Sequence, residues 1–129
     1  MEVAKMISSN AAEATEKVEA SRRRYEMVWQ LGSCDRVVVV SASGCPMCTV
    51  AEHLLFSLGV GPTIVVLDRH VDGPAIREVL REMMEDEQQP AVPAVFIGGK
   101  FLGGVEALMA YHINGNLVPL LKHSGALWL

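Results

Sequence analysis

The chain has 129 residues, half of them hydrophobic but only 5% aromatic, and its 11 basic and 15 acidic side chains leave a formal charge of −4. That length suits one domain, the apolar share excludes global disorder, and the mild acidity argues against the basic face that broad nucleic-acid binding needs. Three cysteines do not make a disulfide framework; they fit a reducing compartment, where a close pair is more often metal-binding or catalytic than structural.

Residues 1–24 mix acidic and basic side chains with short apolar ones, which matches neither a secretory signal nor an acid-free transit peptide. They read as a flexible or weakly helical arm, with Arg22, Arg23 and Arg24 on a solvated face, ahead of a domain expected over 25–123. Tyr25, Val28, Trp29 and Leu31 share one helical face, and Gly32 ends that segment. The β-branched run at 36–41 predicts a buried strand. Ser43, Gly44, Cys45 and Pro46 form a loop entering a helix that runs to Leu58, with Val50, Leu54, Leu55 and Leu58 inward. Gly59, Gly61 and Pro62 stop it, and residues 63–67 predict a second buried strand, parallel to the first across a βαβ crossover.

A helix is expected over 74–85, with Ile76, Val79, Leu80, Met83 and Met84 at helical spacing. Strands at 94–97 and 100–102 flank Gly98 and Gly99, a two-residue hairpin turn. Helices at 105–113 and 117–122 follow, and 124–129 form a tail. The result is an α/β chain: a four-stranded mixed sheet flanked by helices, with an N-terminal helical extension. No apolar run approaches the length of a membrane span, so a soluble intracellular chain is expected.

Cys45-Pro46-Met47-Cys48 carries the chemistry. It follows a strand and opens a helix inside a βαβ unit, the context in which a CxxC reads as redox-active. Unpaired N–H groups and the helix dipole favour an anion at the first turn, which stabilises a Cys45 thiolate. Cys48, one turn on, is placed to resolve a mixed disulfide on Cys45. A zinc site within one chain would need four ligands, whereas Cys34 is the one other thiol and His53, His70, His112 and His123 are scattered, so no metal is expected. An iron–sulfur cluster shared between two chains needs one thiolate per subunit plus outside ligands, and stays open. Cys34 reads as a free, partly buried thiol. Pro93, at the start of a strand, belongs at an edge or a cis bond; a cis bond would expose the Val92 backbone to pair with an extended thiol substrate.

With these elements, residues 37–122 resemble a glutaredoxin of the thioredoxin-like superfamily. The matching features are Cys45-Pro46-Met47-Cys48, Gln89, Val92-Pro93, Phe96-Ile97, Gly98-Gly99 and Gly103-Gly104. Ser41-Ala42-Ser43, Leu58-Gly59-Val60, the stretch at 90–99, the stretch at 116–121 and Ala126-Leu127-Trp128-Leu129 more narrowly resemble plant CC-type (ROXY-like) glutaredoxins. The resemblance implies glutathione as co-substrate, Cys45 as the glutathionylated nucleophile and Cys48 as the resolving thiol. It also implies a glutathione groove formed by Gln89, Val92, Pro93, Gly104, Val105 and Glu106. Three departures stand out. Pro46 occupies the place of a second cysteine in CC-type chains, which makes the site dithiol. Ala42 replaces the lysine of dithiol glutaredoxins, removing an attraction of a kind worth about 1.5–3 kcal/mol. Val105-Glu106 replaces a small or polar residue followed by aspartate.

Leu117, Leu120 and Leu121 have LxxLL spacing and are expected as the inward face of the last helix. Ala126, Leu127, Trp128 and Leu129 follow a Ser124-Gly125 helix stop and invite docking elsewhere, as tryptophan and leucine anchors do. The CC-type resemblance implies TGA-type bZIP transcription factors and TOPLESS-type corepressors as partners, acting in cytoplasm and nucleus without direct nucleic-acid contact. Two functions follow: a glutathione-dependent disulfide oxidoreductase, or a catalytically weak adaptor working through its tail.

Overall fold

Val37, Val38, Val39 and Val40 are each at most 2% exposed, so the strand they form is covered on both faces. The structure, a computed structural model, describes residues 2–86 and 88–127, with side chains described from residue 15 onward. Strand β1 (Val37–Ser41) lies between β2 (Thr63–Val66) and β3 (Ala94–Ile97), and β4 (Lys100–Gly103) completes the order β2-β1-β3-β4. The β1–β2 pair is parallel, as the βαβ reading requires, and the other two pairs are antiparallel. Gly98 and Gly99 turn β3 into β4 with φ of 61° and 79°, the left-handed values that a two-residue hairpin of this kind demands.

Alternation along β1 sends side chains to two cores. Val38, Val40 and Phe96 meet Val28 of helix α1 (Glu2–Gly32) and Ile76, Val79 and Leu80 of α3 (Gly73–Met83). Val37, Val39, Val95 and Ile97 meet Ala51 and Leu55 of α2 (Pro46–Ser57), Leu108 of α4 (Val105–Ile113), and Leu117 and Leu121 of α5 (Leu117–His123). Close approach makes Gly32 necessary: a Cβ there would fall within the Phe96 ring, against which Trp29 also packs edge-on at 6.0 Å.

Several expectations change. Helix α1 runs unbroken for 31 residues through position 24, so the arm is helical from Glu2. Its packed end at Val28 supplies a nucleus, and an Ala- and Glu-rich stretch propagates it. Exposed i,i+4 pairs of Arg22 with Glu26 and Arg23 with Glu19 add only a few tenths of a kcal/mol each. Strand β2 is a half-buried edge rather than a buried strand, with Ile64 39% exposed. On α2, Val50 points outward and Cys48, Ala51 and Leu55 turn inward, because a small residue lets this helix lie close to the sheet. Cys34 is exposed rather than partly buried, since it follows α1 in a surface turn.

The largest change concerns the tail. Gly125, at φ 84°, reverses the chain after α5; the Ala126 N–H donates to the Leu121 carbonyl at 2.9 Å, and an Arg36 Nη1 donates to the Gly125 carbonyl at 2.8 Å. Leu127 is thereby buried in the second core beneath Gly59, and Ala126 packs against the same cluster. Leu127 is therefore a core residue and not a docking anchor, while Trp128 and Leu129 lie outside the described residues.

Leu127→Ala should lower stability by about 2–3 kcal/mol, measured by urea unfolding, as for other truncated core leucines. The Asp35 carboxylate accepts from Thr63 Oγ1 at 2.6 Å and from the Arg36 N–H at 2.7 Å, and the Thr63 bond foremost holds its pKa below the usual carboxylate value. A depressed carboxylate stabilises the fold above its unfolded pKa of about 3.9, and that contribution is lost as pH falls through the folded value. Asp35→Asn should therefore lose less stability than the parent chain between about pH 6 and pH 3, read as the shift in urea midpoint.

Candidate functional site

The N-terminus of α2 faces the end of β1 across a three-residue loop, and its N-cap is Cys45, in extended conformation. Pro46 occupies the first turn, where its missing N–H has no intrahelical partner to lose. The Cys48 N–H donates to Cys45 Sγ at 3.1 Å, so a sulfur fills the capping role that serine or aspartate oxygen usually takes. Cys45 and Cys48 are joined as a disulfide, with Cα atoms 5.3 Å apart. The two sulfurs differ in access: Cys45 is half-buried, whereas Cys48 is 1% exposed. One can be attacked from solvent, and the other can act only on its neighbour.

The loop before Cys45 is held from the side. Gly44 adopts φ 70°, and the Ser43 N–H donates to Asp68 Oδ1 at 2.9 Å. Asp68 sits in the 3₁₀ turn Leu67–Arg69 directly after β2, and bonds from the Ser43 side chain and then its N–H keep the Asp68 carboxyl below its usual pKa.

The Val92–Pro93 bond is cis, and Val92 belongs to the same core cluster as Cys48, against which Cys45 and Ala42 pack. Val92 and Cys48 thus share one core cluster, and Pro93 follows Val92 across the cis bond. Gly104 continues the site: a Cβ there would lie 3.4 Å from the Pro93 carbonyl oxygen and 3.6 Å from Met84 Cε. It N-caps α4, whose first residue is Val105 and whose first turn carries Glu106. Gln89 Nε2 donates to Glu106 Oε2 at 2.7 Å, bridging the loop after α3 to α4.

Gln89, Gly104 and Glu106 line a cleft of about 560 Å³, walled by Met84, Phe101 and Tyr111. Cys45, Cys48, Val92, Pro93 and Val105 do not line it. The site residues therefore form two neighbouring parts, the redox pair with the cis-proline and the cleft, which meet where Gly104 faces Pro93. Glu85 and Glu106 are the charged side chains of the cleft, and none of its lining residues is basic. Among the described residues, no group of three or more His, Cys, Asp or Glu side chains converges to hold a metal ion.

Sequence reasoning missed Asp68 and the apolar wall of the cleft. Met84 and Phe101 read simply as core and strand residues. Asp68 lies 25 residues from Ser43 and belongs to no motif, although an acid directly after a strand that pairs with β1 was the available signal.

The glutaredoxin family model matches residues 37–102. Glutaredoxin-C9 of Oryza sativa subsp. japonica is 53% identical over 105 residues, covering 81% of this chain and 54% of that protein, so the chain spans about half the length of that relative. Glutaredoxin-C1 of the same plant is 42% identical over 104 residues, covering 81% of this chain and 99% of that protein. A crystal structure of a buckwheat glutaredoxin–glutathione complex superposes with a TM-score of 0.74 at 34% identity, covering 85% of this chain and 97% of that one.

In the reduced protein, the sulfur that accepts the Cys48 N–H should be the acidic one. Iodoacetamide should alkylate Cys45 with a pKa of roughly 3.5–7.5, against about 8.5 for a free thiol, and should spare buried Cys48. Peptide mapping of the alkylated protein across pH measures both.

Proposed function

The chain belongs to the glutaredoxin family of thiol oxidoreductases, in its plant CC-type group, and we propose that it reduces glutathione mixed disulfides through a dithiol cycle on Cys45. The observation that carries this reading is the asymmetry of the pair: Cys45 is reachable and capped by an N–H, and Cys48 is buried one turn behind it.

The cycle starts from the reduced pair. The Cys45 thiolate attacks the glutathionyl sulfur of a substrate disulfide, forming a Cys45–glutathione bond and releasing the substrate thiolate, which takes a proton. The thiolate of a second glutathione then attacks that glutathionyl sulfur, leaving oxidised glutathione and a free Cys45 thiolate. Alternatively, the Cys48 thiolate attacks Cys45 Sγ, expelling glutathione thiolate and forming the Cys45–Cys48 disulfide; two glutathiones then restore both thiols and leave as oxidised glutathione. The helix N-terminus favours these steps because it stabilises Cys45 both as attacking thiolate and as leaving group.

Glutathione would lie with its backbone along Val92 and Pro93 and its γ-glutamyl end toward Gly104, Val105, Glu106 and Gln89. Glu106 suits the γ-glutamyl ammonium, and Gln89 holds Glu106 in place. No cation at position 42 meets the glycyl carboxylate, so affinity is set lower than a lysine there would make it. That weakness supports a second role on the same fold, as an adaptor for TGA-type bZIP factors and TOPLESS-type corepressors in cytoplasm and nucleus. With Leu127 in the core and Ala126 packed against it, the tail residues left for such partners are Trp128 and Leu129, which lie outside the described residues.

Steady-state reduction of a glutathionylated peptide tests the enzyme. Cys45→Ser should abolish turnover and Cys48→Ser should retain it through the glutathione route; a Cys45→Ser protein working at the parent rate would refute the assignment. Ala42→Lys should lower KM roughly tenfold, the equivalent of about 1.4 kcal/mol. Removal of Trp128 and Leu129 should release a TGA-type partner in a pull-down and spare reduction; retained capture places the partner surface elsewhere.

A further inference from the structure

We propose that Asp68 is the positioning residue of the active-site loop, clamping Ser43 so that Cys45 Sγ stays within reach of the Cys48 N–H. The proposal rests on Cys45 being the nucleophile and adds a residue outside the redox pair and the cleft.

The sheet ladder between β1 and β2 ends at Ser41 opposite Val66. Two residues further along each strand, the pairing continues by other means: the Ser43 N–H donates to the Asp68 carboxylate at 2.9 Å in place of a backbone carbonyl. The loop has little else to hold it. Gly44 is left-handed, with open space where a Cβ would sit, and Ser43 and Gly44 are both exposed. At the far end of the loop, the Cys48 N–H to Cys45 Sγ contact is 3.1 Å, and its alignment depends on where the loop delivers the sulfur.

Asp68 itself is exposed, and Leu67 beside it makes the core contact, so the acid is not required for packing. Its carboxyl is held below the usual range first by the Ser43 side chain and then by the Ser43 N–H, with Arg69 adding a smaller attraction. It therefore remains an ionised acceptor at neutral pH, and its bond to the loop is charge-assisted.

Clamping and bare charge have opposite signs. A carboxylate near a thiolate acts through space to raise the thiol pKa, so its removal would lower that pKa. A clamp that keeps the sulfur on its N–H lowers the thiol pKa, so its removal raises it. The test is the pH dependence of iodoacetamide alkylation of the reduced protein, mapped to Cys45 by mass spectrometry. Asp68→Ala should raise the Cys45 pKa and slow alkylation at neutral pH by roughly threefold or more. Asp68→Asn keeps an oxygen for Ser43 and removes the charge, so its Cys45 pKa should stay at or below the parent's. An unchanged or lowered pKa in Asp68→Ala, or in Asp68→Leu where Asp68→Ala does not fold, overturns the proposal. Alkylation of the parent at Cys34 or Cys48 in preference to Cys45 would instead overturn the catalytic reading beneath it.

Discussion

A single contact organises the molecule's chemistry: the backbone N–H of Cys48 pointing at the sulfur of Cys45 across the first turn of α2. It needs a helix start, a sulfur at the N-cap and a rigid strand to deliver both. The valines of β1 supply the last, because a strand buried on both faces cannot shift without disturbing two cores. The loop between β1 and α2 is short, with Ser43 and Gly44 exposed, which leaves Cys45 within reach of solvent while Cys48 is sealed in. Thiol–disulfide exchange by such a pair depends on this inequality, since one sulfur must meet a foreign disulfide and the other must meet only its neighbour.

The second half of the site answers to different physics. The cis-proline at 93 and the glycine at 104 face each other closely, and the cleft beyond them carries carboxylates without a balancing cation. Gln89 donates to Glu106, which neutralises part of the hydrogen-bonding demand of that acid and leaves its charge in place. Ala42 adds no positive charge beside the redox pair. The geometry of the cysteine pair and the electrostatics of the cleft are thus separable here: the first is set by the α2 N-terminus, and the second is acidic.

Features set by local physics were legible in the sequence. Pro46 after a capping residue, the Gly98-Gly99 turn and the limits of α4 and β3 all follow from a few adjacent residues, whereas Pro93 left an edge position or a cis bond open until the structure gave the cis bond. Features set by long-range packing were not. Helical periodicity favours the bulkier Val50 over Ala51, yet close approach to the sheet selects the smaller side chain. Leu127 reads as a loose apolar end until Gly125 folds it back beneath Gly59. Asp68 carries no motif, and its partner Ser43 is met only because two strands run side by side. The N-terminal helical extension was legible but not its length, because each early residue of α1 contributes little and only their sum, anchored at Val28, sustains 31 residues.

The central claim is that the helix N-terminus, and not mere exposure, makes Cys45 the attacking sulfur. Cys34 provides the internal control, since it is a free and exposed thiol on the same chain. The direct measurement treats reduced Cys48→Ser protein with oxidised glutathione and follows adduct formation at each cysteine by mass spectrometry. The account predicts that the glutathionyl group accumulates on Cys45 at least about tenfold faster than on Cys34 at neutral pH, because the thiolate fraction differs. Equal rates at the two sites, or faster modification of Cys34, would contradict it.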